Sequence, residues 1–240
     1  EVRPGDYTKP DQLAASLAGV DAVLLVSGMA DPAERIGQHR NVIHAARAAG
    51  VRKLVYTSIQ GAEEGTAFSA VVKSNRQTEA DVRASGLDWV IGRNGIYVEP
   101  DVEYMDRYQE RGEIANCAGE GKCGYTTRPE LAFAYAQLLT EAKHNGQTYD
   151  LHGALLTQAQ LTTYLNDAFG TELRYRDMSV EAYQAERTQE LGPFIGPIIA
   201  GIYRGIRMGA LDHRSDYEAA AGRPHQSWDD YFKTLRLPSE

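Results

Sequence analysis

Cysteine is scarce in this sequence: Cys117 and Cys123 are the only two, they form no CxxC motif, and no histidine pair lies near them. This usage argues against a zinc site and a disulfide scaffold, and it is typical of a protein in a reducing compartment. The sequence also lacks an apolar run long enough to span a bilayer, and it lacks a signal-peptide pattern. We therefore predict a cytoplasmic protein without a metal site or a membrane partner.

Clustered positive charge is missing as well. The 25 lysines and arginines are scattered along the chain, and the formal net charge is −8. A surface that neutralises nucleic-acid phosphates needs a concentration of basic side chains, so nucleic acid is excluded as a predicted partner. The remaining composition, with 42% hydrophobic and 24% charged residues, indicates an ordinary folded globular protein.

Apolar runs alternate with helical periodicity in the first half of the chain. Continuous apolar runs predict strands at residues 23–27, 54–58 and 89–93, because strands of a parallel sheet are buried on both faces. Residues 2–6 are expected to add an edge strand. Helical periods at 33–49 and 68–85 separate the strands, which indicates crossover connections and a doubly wound parallel α/β sheet.

The second half predicts a smaller α/β lobe. Helices are expected at residues 129–143 and 157–169, a short strand at 148–151, and a strand-like segment at 172–178. Further helices are interrupted by glycine and proline between residues 192 and 197. We expect this lobe to lie over the carboxyl edge of the sheet, where ligands bind in this architecture.

Small and polar residues stand at the predicted carboxyl ends of the strands. Ser27 and Gly28 follow one strand, Ser58 ends the next, and Asn94 and Tyr97 follow the third. Such residues suit a ligand crevice, because glycine permits close approach of backbone and the polar groups can hold an amide or a carbonyl. Each tip taken alone is equally typical of an ordinary turn, and the argument for a site rests on all of them together.

Several motifs resemble one known family. The motifs are the run at residues 39–58 (HRNVIHAARAAGVRKLVYTS), GDY at 5–7, RNGIY at 93–97, GEGK at 119–122, TR at 127–128 and GRP at 222–224. In these segments the sequence resembles the NmrA-like, atypical short-chain dehydrogenases, and within them most of all the bacterial NAD(P)H:quinone oxidoreductase type 2 branch.

The resemblance implies a Rossmann-like fold with NADP or NAD as cofactor. Family members open with a strand, a glycine-rich phosphate loop, a helix and a second strand, and this sequence contains none of these. We therefore expect a β1-α-β2 unit of about 45 residues to be missing upstream. The strand at residues 23–27 would then be left as an open edge. By the same resemblance, residues 1–153 form the NAD(P)-binding domain, residues 98–127 contribute to the substrate side, and residues 154–240 form the acceptor lobe.

The resemblance also implies a set of site residues. The adenosine and ribose side of the cofactor would lie against Ser27, Gly28 and Met29. The nicotinamide half would contact the segment Asn94, Gly95, Ile96, Tyr97, Val98 and Glu99. Tyr125 would close over the nicotinamide half. Ser58 is expected to donate a hydrogen bond to a carbonyl of the cofactor or acceptor.

The paired tyrosine and lysine of ordinary short-chain dehydrogenases are absent, since no tyrosine is followed by lysine four positions later. Tyr97 is the candidate proton donor or orienting group, with Ser58 as the second catalytic candidate; a purely packing role for Tyr97 stays open. Some relatives carry lysine or histidine where Asn75 stands here. Lys73 is interpreted as a solvated helix residue, and His39 and His44 as packing residues.

Two functions remain open at this point. One is an enzyme that transfers hydride from NAD(P)H to a quinone or a similar carbonyl-like acceptor, working as a monomer or homodimer. The other is a dinucleotide-sensing regulator like NmrA. The glycine-rich apolar segment at 194–208 is interpreted either as a mobile flap over a flat acceptor or as a helix whose glycines allow close packing.

Overall fold

The computed structural model describes residues 1–235. Its strands, in chain order, are β1 (Ala22–Leu25), β2 (Lys53–Ile59), β3 (Asp88–Asn94), β4 (Ile96–Tyr97), β5 (Glu113–Asn116), β6 (Tyr125–Thr126), β7 (Gln147–Leu151) and β8 (Arg174–Asp177). Its helices are α1 (Pro10–Ser16), α2 (Pro32–Ala48), α3 (Ser69–Arg83), α4 (Glu99–Glu103), α5 (Met105–Arg111), α6 (Arg128–Thr140), α7 (Gln158–Phe169), α8 (Val180–Arg207), α9 (Tyr217–Ala221) and α10 (Trp228–Leu235), with a 3-10 turn at Ala142–His144.

The main sheet has four parallel strands in the order β1-β2-β3-β7. Val23 pairs with Leu54, which in turn pairs with Trp89. The predicted strands at 23–27, 54–58, 89–93 and 148–151 are therefore confirmed within one or two residues, and so is their parallel pairing. Among residues 1–235, β1 has a neighbouring strand on one side only, so it is the predicted open edge.

Helices cover both faces of this sheet, which explains why its strands are apolar without alternation. On one face, Leu54 and Tyr56 pack with residues of α1, α2 and α3. On the other face, Val55 and Val90 pack with residues of α6 and α9. The predicted Rossmann-like, doubly wound architecture is confirmed.

A second hydrophobic core lies in the smaller lobe. It joins residues that follow β3 to residues of α7, α8 and α10, and its fully buried members include Val98, Tyr125, Leu161, Leu165 and Ile206. Two short parallel pairs, β4 with β6 and β5 with β8, accompany this core. The strand-like segment predicted at 172–178 is β8. Among residues 1–235, none of the helices combines the length and hydropathy needed to cross a bilayer.

The edge strand predicted at residues 2–6 is wrong. This segment forms no strand, and its contacts run to the end of α1 instead. Arg3 Nη1 donates to the carbonyl oxygens of Ser16 and Ala18, each at 2.9 Å. Pro4 has no backbone N–H to give to a ladder, and within the described residues no strand lies beside the segment to accept one.

The glycine-rich segment at 194–208 is the second half of α8, after a break at Gly192 with φ 83°. A Cβ on Gly201 would lie 2.5 Å from the backbone nitrogen of Phe68, and one on Gly196 would lie equally close to the backbone of Thr188. Ile206 is fully buried in the second core. These contacts favour the packing interpretation, so the flap hypothesis is not supported.

Candidate active site

The backbone at the tip of β1 is held by side chains from two other elements, β2 and α2. The backbone N–H of Ser27 donates to Thr57 Oγ1 at 2.8 Å, and the backbone N–H of Gly28 donates to His39 Nε2 at 3.0 Å. The guanidinium of Arg35 donates to the Gly28 carbonyl at 3.2 Å. Ser27 and Gly28 are half-buried, whereas the side chain of Met29 is 90% exposed. This tip is therefore a fixed polar turn flanked by an exposed apolar side chain.

His39 of α2 acts in this turn as a neutral acceptor. Its Nε2 accepts from Gly28, and its Nδ1 lies 2.9 Å from Thr78 Oγ1, whose own proton goes to the Ser74 carbonyl. Burial, together with the nearby charge of Arg35, lowers the pKa of His39 to about 4. The side chain is fully buried, as the packing interpretation requires, and it also fixes the backbone at the site.

The lowered pKa of His39 predicts a pH-dependent stability. In the unfolded chain this residue takes up a proton below about pH 6.5, whereas in the folded protein it does so only below about pH 4. The folded protein therefore loses stability as the pH falls through this window. Between about pH 7 and pH 5.5 the loss should be about 1 kcal/mol. His39→Gln should remove this component in urea titrations at the two pH values. His44 lies on the exposed side of the same helix, so its predicted packing role is wrong. His44→Gln should keep the wild-type dependence; equal slopes for all three proteins would contradict the assignment.

Ser58 at the end of β2 does not face a crevice. It is 2% exposed, and its hydroxyl donates to Glu79 Oε1 of α3 at 2.7 Å. Ser58 Oγ also accepts from Arg76 Nη1 at 3.3 Å. Because both its proton and its oxygen are engaged in the interior, the predicted catalytic and cofactor-binding roles of Ser58 are corrected to a structural link between β2 and α3.

The tip of β3 presents the amide of Asn94 and the phenol of Tyr97. Asn94 Oδ1 accepts from the buried Tyr135 hydroxyl at 2.6 Å, and Asn94 Nδ2 donates to the Tyr97 hydroxyl oxygen at 3.4 Å. Tyr97 is 38% exposed, and the guanidinium of Arg128 lies 5.9 Å from its ring centre. The amide thus ties the sheet to an accessible phenol whose own proton remains available.

Gly95 and Ile96 connect this tip to the short strand β4. Gly95 is buried, Ile96 is half-buried, and the N–H of Ile96 donates to the Gly124 carbonyl at 3.1 Å. Glu99 Oε1 accepts from the backbone N–H of Arg128, at the start of α6. Glu99 therefore holds the chain after Tyr97 against another helix.

Two predicted contacts with the cofactor are corrected. The ring of Tyr125 is fully buried in the second core, and its hydroxyl accepts from Gln158 Nε2 at 2.7 Å. The side chain of Val98 is also fully buried in that core. Neither side chain reaches the surface, so Tyr125 does not close over a ligand and Val98 offers at most its backbone.

The structure brings the remaining predicted residues to one edge of the sheet. The parallel order places the ends of β1, β2 and β3 side by side. Thr57 contacts the Ser27 backbone, and the N–H of Gln60 donates to the Asn94 carbonyl at 3.0 Å. Ser27, Gly28, Asn94 and Tyr97 therefore share the carboxyl edge, where ligands bind in doubly wound sheets.

The cavity that stands out among residues 1–235 is not the predicted pocket between sheet and lobe. This open cavity of about 590 Å³ lies along α8, and none of the predicted site residues lines it. Its walls include Glu181, Gln184, Thr188 and Arg204.

Sequence reasoning missed the side chains that hold the strand tips. His39, Thr57, Asn75 and Tyr135 each contact a tip from inside the fold. The one available signal was that each is a polar residue at an inward position of an otherwise apolar element.

The donors and acceptors at the edge fit a dinucleotide: polar groups at Ser27 and Tyr97 can hold hydroxyl and amide groups, and exposed Met29 and Val26 offer apolar surface to a flat ring.

Comparison with known sequences identifies the group. Residues 1–141 match the NAD(P)H-binding family. This chain belongs to that family. The predicted cofactor class, NADP or NAD, is confirmed at this level.

Related proteins agree with the assignment. Quinone oxidoreductase 2 of Escherichia coli strain K12 is 35% identical over 185 residues, which cover 77% of this chain and 64% of that protein. An NmrA-like family domain-containing oxidoreductase of Aspergillus flavus is 32% identical over 177 residues, 71% of this chain and 57% of that protein. This chain thus matches less than two thirds of the length of these curated relatives.

A solved structure confirms the fold and the resemblance. The crystal structure of an NADPH-dependent quinone oxidoreductase from Escherichia coli, complexed with NADPH, superposes with a TM-score of 0.87 at 31% identity. The match covers 98% of this chain and 83% of that one. The predicted similarity to NmrA-like proteins and to the quinone oxidoreductase type 2 branch is therefore confirmed.

Proposed function

We propose that this protein is an NAD(P)H-dependent reductase of quinones or similar small carbonyl-like acceptors. When bound, NAD(P)H supplies a hydride to the acceptor. The protein's residues hold the reactants and deliver a proton, so that a quinone gains one hydride and one proton to become a hydroquinone and the nicotinamide is left oxidised. The observation that carries the proposal is the accessible Tyr97 phenol at the strand edge, in a family whose matched relatives are oxidoreductases.

Asn94 orients this phenol for proton donation. The Tyr135 hydroxyl lies 2.6 Å from Asn94 Oδ1 and 3.1 Å from the Gly92 carbonyl, so its one proton is assigned to the closer acceptor, Oδ1. The Nδ2 hydrogens of Asn94 then point toward the Tyr97 oxygen. Because the phenol oxygen accepts from Asn94, the Tyr97 proton is free to reach an acceptor oxygen. A quinone needs only this modest assistance, and the missing tyrosine–lysine pair does not prevent the reaction.

The acceptor would lie between the strand edge and the smaller lobe. In this proposal residues 1–153 form the cofactor domain and residues 154–240 the acceptor lobe, with α9 of the lobe packed back against the main sheet. The second core joins residues of 98–127 to residues after 154, which supports assigning residues 98–127 to the substrate side. Residues 98–127 would then form the substrate side of the first domain. The quinone-like acceptor is the small-molecule partner in this proposal.

Tyr97→Phe tests the proposal directly. With NADPH and a panel of quinones, the substitution should lower kcat about tenfold, because proton delivery to the acceptor oxygen is lost. The NADPH dissociation constant, measured by fluorescence, should stay within about twofold of wild type. Tyr164→Phe, which alters a phenol stacked on Phe232 in the lobe, should leave both quantities unchanged.

Two results would count against the proposal. Wild-type protein that binds NADPH but reduces none of the quinones would support the dinucleotide-sensing regulator instead. An unchanged kcat in Tyr97→Phe, in a protein that does reduce quinones, would leave the reductase in place and remove Tyr97 as its proton donor.

A further inference from the structure

The side-chain amide of Asn75 has only one possible orientation. Asn75 is buried in α3; its Nδ2 lies 2.8 Å from the Val71 carbonyl, and its Oδ1 lies 2.6 Å from the Tyr56 hydroxyl and 3.0 Å from Ser27 Oγ. A carbonyl oxygen can only accept, so the amide nitrogen must face Val71. The opposite orientation would set two oxygens against each other.

This orientation decides where two hydroxyl protons go. Oδ1 can only accept, and therefore both Tyr56 and Ser27 donate to it. Burial raises the pKa of Tyr56, so its phenol keeps the proton that it donates. The proton of Ser27 is directed inward, and only the lone pairs of its oxygen are left for a ligand at the half-buried strand tip.

The backbone donors of the same turn are also used internally. The N–H of Ser27 goes to Thr57 and the N–H of Gly28 goes to His39. Ser27 and Gly28 thus have no donor left for a phosphate oxygen. A ligand group that binds here must itself donate, and the ribose hydroxyls of a dinucleotide are such groups.

We propose that Asn75 is a positioning residue that fixes the Ser27 oxygen as a hydrogen-bond acceptor for a ribose hydroxyl of the bound dinucleotide. Asn75 itself does not touch the cofactor. Asn75 acts by accepting the Ser27 proton at its Oδ1 atom. The hydrogen bond from Tyr56 holds that Oδ1 atom in place. The inference concerns cofactor binding and does not depend on the identity of the acceptor.

Binding of NADP⁺ to the purified protein, followed by calorimetry, tests the pair. Ser27→Ala should weaken binding about threefold to tenfold, the effect of one lost hydrogen bond. Asn75→Leu should weaken it by a similar factor, because a freely rotating Ser27 hydroxyl is no longer a fixed acceptor. The double variant should bind no more weakly than the weaker single variant, since both remove the same interaction. Ser85→Ala, which changes a buried serine two residues beyond the end of α3, should bind like wild type.

Different outcomes separate a structural role from the proposed one. Factors that multiply in the double variant would show that Asn75 does not act through Ser27 and would overturn the proposal. Unchanged binding by Ser27→Ala, a small change that should not prevent folding, would overturn it even if Asn75→Leu fails to fold.

The 3-acetylpyridine analogue of NADP⁺ lacks the carboxamide N–H groups but keeps the ribose hydroxyls. The same loss should appear with it; a loss confined to NADP⁺ would assign the contact to the carboxamide and contradict the ribose assignment.

Discussion

Glu79→Gln is expected to destabilise the protein by about 3 kcal/mol, because the substitution removes a fully buried carboxylate that pairs with three partly buried arginines. The Glu79 side chain is fully buried. Its two oxygens accept from Arg93, Arg76 and Arg83 at 2.8–3.0 Å. The Ser58 hydroxyl also donates to it. A neutral amide would turn its own N–H groups toward guanidinium groups that are partly removed from water.

The contacts of Glu79 outweigh the effect of burial on its pKa. Burial alone would raise the pKa of this carboxyl, but the hydrogen bonds from Arg93 and Ser58 and the charge of Arg76 lower it to about 2. The folded protein therefore keeps Glu79 ionised where the unfolded chain would protonate it. Its contribution to stability is complete above about pH 4.5 and is lost as the pH falls toward about 2.

Urea unfolding at neutral pH would measure this effect. Glu110→Gln, at an exposed position of α5, is the matched control and should change the free energy of unfolding by less than about 0.5 kcal/mol. Arg83→Gln should cost no more than about 1 kcal/mol, because its side chain is 38% exposed and water can replace the contact. A Glu79→Gln protein as stable as the control would show that the arginines do not depend on this carboxylate.

The main sheet could be predicted well from the sequence, because each of its strands is marked by a continuous apolar run within the strand itself. A strand buried on both faces must be apolar at every position, so β2 and β3 are visible in the sequence without knowledge of their partners. Residues 2–6 carry no such run. A strand there would need a neighbour to pair with, and within the described residues this segment contacts the end of α1 instead.

The site is predicted less well because the direction of a side chain depends on distant contacts. Ser58 and Asn94 both end parallel strands, yet Glu79 of α3 draws Ser58 inward, whereas Tyr135 of α6 leaves the Asn94 amide facing Tyr97. Tyr125 is drawn into the second core by Gln158. These partners lie far away in sequence, and nothing at the strand tips reveals them.

Gly95→Ala is expected to have the other large effect, because the chain after β3 passes almost in contact with another backbone segment. A Cβ at position 95 would lie 2.2 Å from the Gly124 carbonyl oxygen and 2.8 Å from His152 Cβ. The first of these atoms belongs to the backbone and cannot rotate away. The same oxygen accepts the N–H of Ile96, so any shift also strains the turn that carries Asn94 and Tyr97.

The expected loss for Gly95→Ala is about 3 kcal/mol, at the upper end of ordinary overpacking. Gly37→Ala provides a control with the opposite sign. Gly37 lies within α2, a Cβ there would meet no atom within 4 Å, and alanine should stabilise the helix by about 0.5–1 kcal/mol. Thermal and urea unfolding of the two variants should therefore move in opposite directions from wild type. If Gly95→Ala unfolds at the wild-type urea concentration, β3 and Gly124 cannot be as close as described, and the orientation of Tyr97 derived from this junction would have to be abandoned.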